Sequence, residues 1–425
     1  MTESRRRDRP GLRAEAAEVR HGRLKRASGW RTALTAVAGV LAVVLVSGAS
    51  VAAIAAYQLG SGIDSVDLGG EVPAVGDWEG GFNVLIVGID NAEGQADADD
   101  RDTTLNDVNM LVHVAEDQQS AVAVSIPRDL LVDIPACEAE DGTTSEPLEF
   151  VQINEAYGEG GLACVVDTVE DLTGLEIPYA GTISFDGVAR MSSAIGGVEV
   201  CIDAPISDPY TGLELETAGT HVVEGYEALA FLRTRYGVGD GGDLGRISNQ
   251  QVYLSSMIRK VQSDGVLTDL TALYGLAKVT TESMELSTSL RPLDTMVAMA
   301  RVLADMPIEN IVFVQYPGEV PLEGPLAGRV LPLEDEADEL MRLIENDERF
   351  LPDEPEQGTV ADPNAPAPAP SASGEATAEP APSESASIDP SAAPSGSPSA
   401  APTPEVLENV PGQTAADRRC SAAND

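Results

Sequence analysis

Cationic residues are scarce in this 425-residue chain, and ten of its 26 Lys and Arg fall within the first 31 residues. Beyond Arg31, 16 basic residues face 66 acidic ones, a net charge of −50. Such a surface repels nucleic acid, whose binding depends on phosphate neutralisation by cations, so DNA and RNA are not expected as partners. Histidine is rarer still: His21, His113 and His221 are scattered, and Cys137, Cys164, Cys201 and Cys420 contain no C-x-x-C pair. That spacing does not suit a zinc site. Neither a G-x-S-x-G elbow nor a P-loop is present, so serine hydrolase and NTPase readings find no support.

Charge is missing altogether between Arg31 and Asp64, and residues 32–56 read as Ala, Val, Leu and Ile broken only by small residues. The run exceeds the ~20 residues that cross a bilayer. Ten cations against four acids before it place the N-terminal side in the cytoplasm by the positive-inside rule. A cleaved signal peptide is the competing reading, since Ala53-Ile54-Ala55 resembles a cleavage site, but a signal core spans only ~7–15 residues. The sequence therefore predicts a basic cytoplasmic tail at 1–31, a transmembrane helix at 32–57 and a single-pass protein whose remainder is extracellular. All four cysteines lie in that exported part, where disulfides form. Sequence does not decide among the three pairings; the reading favours Cys137–Cys164, with Cys201 and Cys420 left to pair or stay free.

Composition divides the exported part into a Gly-, Asp- and Val-rich stalk at 58–80, one patterned domain at 81–350 and a tail at 351–425. Residues 351–404 are Pro, Ala, Ser, Gly and Glu without an aromatic, Lys or Arg, too little apolar surface to offset chain entropy. The tail is expected to be disordered, its last twenty residues being a flexible end or a small docking segment. Within the domain, apolar runs at 82–90, 110–115, 121–126, 198–203 and 311–316 read as strands. Helical periods at 164–172, 185–194, 225–232, 244–261 and 293–306 alternate with them, as in an α/β fold with a sheet covered on both faces. Ligands in such sheets lie beyond the carboxyl ends of strands, which points to Asp90 and to Pro127-Arg128-Asp129.

Arg233 and Arg235 are two apart and face one side of an extended segment. A Gly-rich loop at 237–242 follows, and Asp243, Arg246 and Gln250 then share one face of a helix whose start Asp243 could cap. A surface ion pair is the ordinary reading for any one arginine. Together Arg128, Arg233, Arg235 and Arg246 suggest a cationic pocket built for phosphate, which arginine grips bidentately. The acidic loop with Asp97, Asp99, Asp100 and Asp102 reads as solvated, because Arg101 breaks the calcium-loop pattern and no closing Glu follows.

Read in order, FNVLIVGID, LNDVNMLVHV, VSIPRDLLVDIP, INEAYGEGG, FDGVARMSSAIGGVEVCI, ISDPYTGLEL, EGYEALAFLRTRYG and DLGRISNQQ make the stretch from Phe82 to Leu290 similar to the LytR-CpsA-Psr family. The resemblance implies a three-layer α/β/α domain with a central mixed sheet, holding a polyprenyl lipid between helices and sheet. It implies a phosphotransferase moving a glycopolymer from a polyprenyl pyrophosphate carrier to a peptidoglycan hydroxyl. Alternatives are a polyprenyl pyrophosphate hydrolase and a non-catalytic prenyl-lipid-binding regulator. Carried over by residue, Arg128, Arg233, Arg235 and Arg246 would bind the pyrophosphate with Gln250 beside them. Asp90 and Asp107 would hold Mg²⁺ (or Mn²⁺), or Asp107 would act on the attacking hydroxyl. Leu105 stands where many members have arginine, and Arg101 is the candidate substitute. For Asp90 and Asp107 to converge, their strands must be antiparallel; the helix-poor link between them favours this.

Overall fold

The computed structural model describes residue 30 and residues 64–68, 80–90, 104–139, 142–263, 270–353, 358–365 and 405–424. The chain divides into units 1–56 and 57–425, and the sheets and helices from Asp64 onward belong to the second. The expected membrane helix at 32–57 lies outside the described residues; among those described, no helix is long and apolar enough to cross a membrane.

Nine strands form the central sheet: β1 (Asp64–Val66), β2 (Phe82–Asp90), β3 (Leu105–Val114), β4 (Ala121–Ile126), β5 (Tyr179–Ser184), β6 (Met284–Ser287), β7 (Ile311–Gln315), β8 (Phe350–Asp353) and β9 (Glu405–Thr414). Their order is β1-β6-β5-β2-β3-β4-β7-β9-β8. Strand β2 is antiparallel to β3 and parallel to β5, and β4 is antiparallel to β3 and parallel to β7. The sheet is mixed, and the carboxyl ends of β2, β4, β5 and β7 meet at one edge.

Period-two alternation gives each strand two apolar faces. Leu85, Val87, Leu111, Val124 and Val314 face helices α1 (Ala156–Thr173) and α7 (Glu334–Glu345). Phe82, Met110, Val114, Ala123 and Phe313 face the other side, with α4 (Asp243–Ser263) and α6 (Leu293–Asp305). A third core joins α3 (Tyr226–Arg233) and α4 to a small sheet of strands 198–202, 219–223, 359–361 and 419–421. Helices α2 (Phe185–Ala194) and α5 (Leu270–Ser283) complete the set.

Helix α4 is unusual in being polar yet buried along its first three turns. Its polar side chains are met by strands: Gln315 Nε2 donates to Ser248 Oγ, Gln413 Nε2 to Ser255 Oγ, and Ser421 Oγ to Asn249 Oδ1. Buried polar groups are tolerable on such terms.

Two expectations about boundaries are overturned. The tail is not disordered throughout: β8, β9 and the strands at 359–361 and 419–421 all lie beyond residue 350 or begin there. Strand β9 is inserted between β7 and β8, and Cys420 is joined to Cys201, so backbone pairing and a covalent bond supply the order that apolar content does not. Residues 366–404 lie outside the described residues. The stalk likewise contributes β1, parallel to β6 at the opposite edge. The second disulfide joins Cys137 to Cys164, and no described cysteine is free.

Candidate active site

At the strand edge a cavity of about 530 Å³ opens between the sheet and helices α2, α3 and α4. That is the size of a small-molecule site. Its floor is the sheet face of Ile86, Gly88, Val108 and Met110, and Ile86, in the middle of a central strand, is 36% exposed. The helices stand away from the sheet here. Val188 and Met191 of α2, Leu229 and Leu232 of α3 and Leu254 and Met257 of α4 make the interior apolar. Asp107, Arg128, Arg233, Arg235, Arg246 and Gln250, all expected from sequence, line the same cavity.

Asp107 reaches it through a register break. The β2–β3 ladder pairs Gly88 with Val108 but Ile89 with Asn106, leaving Asp107 as the extra residue. A bulge of this kind re-aims a side chain. Asn106 pins it from the opposite face, donating to Asn109 Oδ1 (2.8 Å) and Ile153 O (3.0 Å) and accepting from the Tyr157 N–H (3.1 Å). Asp90 ends β2 opposite Leu105, at the same edge, but is not among the residues lining the cavity. Arg101 lies outside the described residues.

The arginines fall into two kinds. Arg128, just beyond β4, donates to Asp107 Oδ1 (2.8 Å), with Asp129 3.6 Å and Asp243 3.9 Å away. Burial works against its charge, but these carboxylates raise its pKa above the ordinary value. Arg246 Nη2 donates to Asp107 O (3.1 Å) and lies 2.6 Å from Asp243 Oδ1. That last contact is misaligned for a hydrogen bond, so both Asp243 oxygens, with the Nε atoms of Arg128 and Arg246, are buried polar atoms lacking one. Asp243 therefore does not cap α4 as its position suggested; it is the buried counter-ion of Arg246.

Arg233 and Arg235 differ. Arg233 lies over the Phe185 ring at 4.4 Å and Arg235 Nε donates to Gly241 O, and among the described residues neither forms an ion pair. Both line the cavity with no described carboxylate at ion-pair distance. Gln250 donates to Leu232 O (3.0 Å), tying α4 to the end of α3.

The residues 52–339 match the LytR_cpsA_psr family, 288 of the chain's 425. The chain belongs to the LytR-CpsA-Psr family. It is 31% identical over 237 residues to cell wall biosynthesis protein LcpA of Corynebacterium glutamicum, covering 48% of this chain and 45% of LcpA. Probable cell wall biosynthesis protein LcpB of the same organism is 32% identical over 195 residues, 44% of each chain. The chain thus spans about half the length of these two relatives. Polyisoprenyl-teichoic acid–peptidoglycan teichoic acid transferase TagT of Bacillus subtilis is 27% identical over 287 residues, covering 64% of this chain and 83% of TagT.

Within this LytR-CpsA-Psr domain, sequence reasoning missed Asp208. Buried at the start of a turn, its carboxylate accepts from Thr234 Oγ1 (2.7 Å) and from the N–H groups of Tyr210 (2.9 Å) and Arg235 (3.2 Å). Burial pushes its pKa up, but these hydrogen bonds and one from Thr211 hold it below the usual carboxylate value. Asp208 thereby fixes Arg235, a role that only the Asp-Pro turn signal in ISDPYTG hinted at. Nothing local in sequence marked the Asn106 pin, because it depends on Ile153 and Tyr157, 47 and 51 positions away. The Asp243–Arg246 pair, three positions apart on one helix, followed from the helical spacing, although its burial did not.

Proposed function

We propose that this protein transfers an anionic glycopolymer from a polyprenyl pyrophosphate carrier to a peptidoglycan hydroxyl, forming a phosphodiester link in cell-wall assembly. The observation that carries the reading is the cavity itself: an apolar interior suited to a prenyl chain, lined also by Arg233 and Arg235, which form no ion pair among the described residues. Membership of a family with a relative named as a teichoic acid transferase supports it.

In this reading Arg233 and Arg235 bind the pyrophosphate, and Arg128 and Arg246, each with an Nε lacking a hydrogen bond, take oxygens that bear charge in the transition state. Asp107 accepts the proton of the attacking hydroxyl or orients it, and its link to Arg128 sets the carboxylate's direction. The hydroxyl oxygen bonds to the phosphorus next to the polymer, and the bond to the bridging oxygen breaks, leaving lipid phosphate. Asp107, lining the cavity, and Asp90, at the same strand edge, carry hard carboxylate oxygens of the kind Mg²⁺ or Mn²⁺ takes, and these two residues would hold the ion. When bound, such an ion would stabilise phosphoryl charge. The N-terminal apolar segment would keep the domain at the outer face of the membrane, where the lipid carrier lies.

The test is full-length protein with radiolabelled lipid-linked polymer, with and without peptidoglycan acceptor and Mg²⁺. Acceptor-dependent transfer is expected. Acceptor-independent phosphate release would make it a hydrolase, and binding without turnover a regulator.

A further inference from the structure

Two exposed aromatic rings stand at the cavity mouth, and the transfer reaction as proposed does not use them. Tyr210 is 78% exposed and Tyr236 53%, yet their rings lie with centroids 4.7 Å apart at 36°. A single exposed ring is ordinary, but two in contact beside a cavity form the kind of patch that marks a ligand-binding groove. Both line the same cavity as Arg235, which adjoins Tyr236 in sequence. Tyr253, in the interior of that cavity, is by contrast 3% exposed, so the pair marks the outer end.

The pair is built rather than incidental. Asp208 accepts from the Tyr210 N–H with one oxygen and from the Arg235 N–H with the other, so one buried carboxylate holds the turn bearing one ring against the segment bearing the other. On the far side the C-terminus braces Tyr236: Asn424 Nδ2 donates to Tyr236 O (3.0 Å) and the Asn424 N–H to Gly237 O (3.0 Å). Close packing of Gly237 against Thr234 and Asp208 allows no side chain there. The backbone at both tyrosines is therefore fixed relative to that of Arg235.

We propose that Tyr210 and Tyr236 form a stacking platform for the pyranose ring attached to the pyrophosphate, making the site selective for sugar-bearing over bare polyprenyl pyrophosphate. The proposal rests on the phosphotransferase reading and deepens it. A pyranose offers an apolar face of axial C–H groups and a polar rim of hydroxyls. The first fits the aromatic pair, and the second fits the polar flank of Asp208, Thr211 and Arg235. A prenyl chain would instead follow the apolar interior.

The experiment compares binding of two probes to the full chain in detergent: polyprenyl pyrophosphate alone and the same lipid bearing one N-acetylglucosamine. Wild type is expected to favour the sugar-bearing lipid by about tenfold, the scale of one or two aromatic stacking contacts. The Tyr210→Ala/Tyr236→Ala variant should lose that preference while holding the bare lipid within about twofold, and Tyr210→Phe/Tyr236→Phe should keep most of it. Both side chains are exposed, so an unchanged melting temperature is expected and is measured alongside. Equal affinity of wild type for the two lipids, or equal loss of both in the alanine variant, overturns the platform and leaves the phosphotransferase reading standing. If wild type binds neither lipid, the phosphotransferase reading fails and the platform falls with it.

Discussion

Removing an arginine from this site has two separable consequences, depending on whether it is paired. Arg246 and Asp243 are both buried, and truncating one partner of such a pair leaves a charge without compensation, at a cost of about 3–5 kcal/mol. Arg246→Ala is therefore expected to lower the melting temperature as well as activity, and adding Asp243→Asn should recover part of the stability without restoring transfer. Arg233 has no ion pair among the described residues, so Arg233→Ala should leave the melting temperature nearly unchanged. Its loss of a charge-assisted phosphate contact, ~1.5–3 kcal/mol, should still slow transfer by about one to two powers of ten. A parallel fall in stability for both variants would assign Arg233 to structure. Asp208 gives a pH test. Its folded pKa lies below the unfolded value of ~3.9, so its contribution is present in full above ~3.9 and is lost as pH falls through the lowered value. The melting temperature gap between wild type and Asp208→Asn should hold steady from pH 7 to about 5 and narrow below about 4. A gap independent of pH would show that the lost contacts are not those of the ionised carboxylate.

At the scale of elements, strand β9 carries a prediction that reverses the simplest domain boundary. It pairs with β7 on one side and β8 on the other, so a protein ending at residue 350 would expose β7 as a hydrophobic edge of a large sheet. Such a truncation should be recovered as aggregated or protease-labile material, whereas one ending at residue 425 should be soluble; equal protease resistance of the two would contradict this. The family match itself ends at residue 339, short of both strands. What composition made legible was uneven for physical reasons. Strands β2 and β4 and helix α2 stand at the limits read from their apolar pattern. Strand β5, YAGTIS, was missed: its Gly and Ala carry little strand signal, and its place beside β2 follows from the parallel ladder. Helix α7 was missed because its first turn, Glu334, Asp335 and Glu336, is acidic and resembles a solvated loop, although Ala337, Leu340, Met341 and Ile344 bury one stripe. Strand β9 contains Pro411 and Gly412, signals against a central strand; Gly412 sits so close to Phe313 O that no side chain fits. The arginines, by contrast, were legible because cations are rare in this domain.

For the molecule as a whole, the large excess of acid over base is balanced only locally, where four arginines gather around one cavity, and long-range links hold that gathering together. Arg128 and Arg246 come from segments 118 positions apart in sequence and meet on Asp107. The Gly-rich loop beyond Arg235 is tied to the C-terminus, with the Gly239 N–H donating to Ala422 O and Asn424 bound to Gly237. The disulfide Cys201–Cys420 anchors this C-terminal segment across 219 positions, while Cys137–Cys164 spans 27. Because a crosslink removes more freedom from an unfolded chain when its loop is longer, the chain-entropy relation gives about 5 kcal/mol for the first and about 3.5 kcal/mol for the second. Cys201→Ser/Cys420→Ser is therefore expected to lower the melting temperature more than Cys137→Ser/Cys164→Ser. It should also affect the site differently: the first pair frees the segment that braces Tyr236 and Gly237, while the second tethers α1 on the opposite face of the sheet. Measured at a temperature where both variants stay folded, affinity for polyprenyl pyrophosphate should fall in the first and hold in the second. Equal stability losses would set aside the loop-length argument, and equal affinity losses would mean that the brace does not reach Arg235.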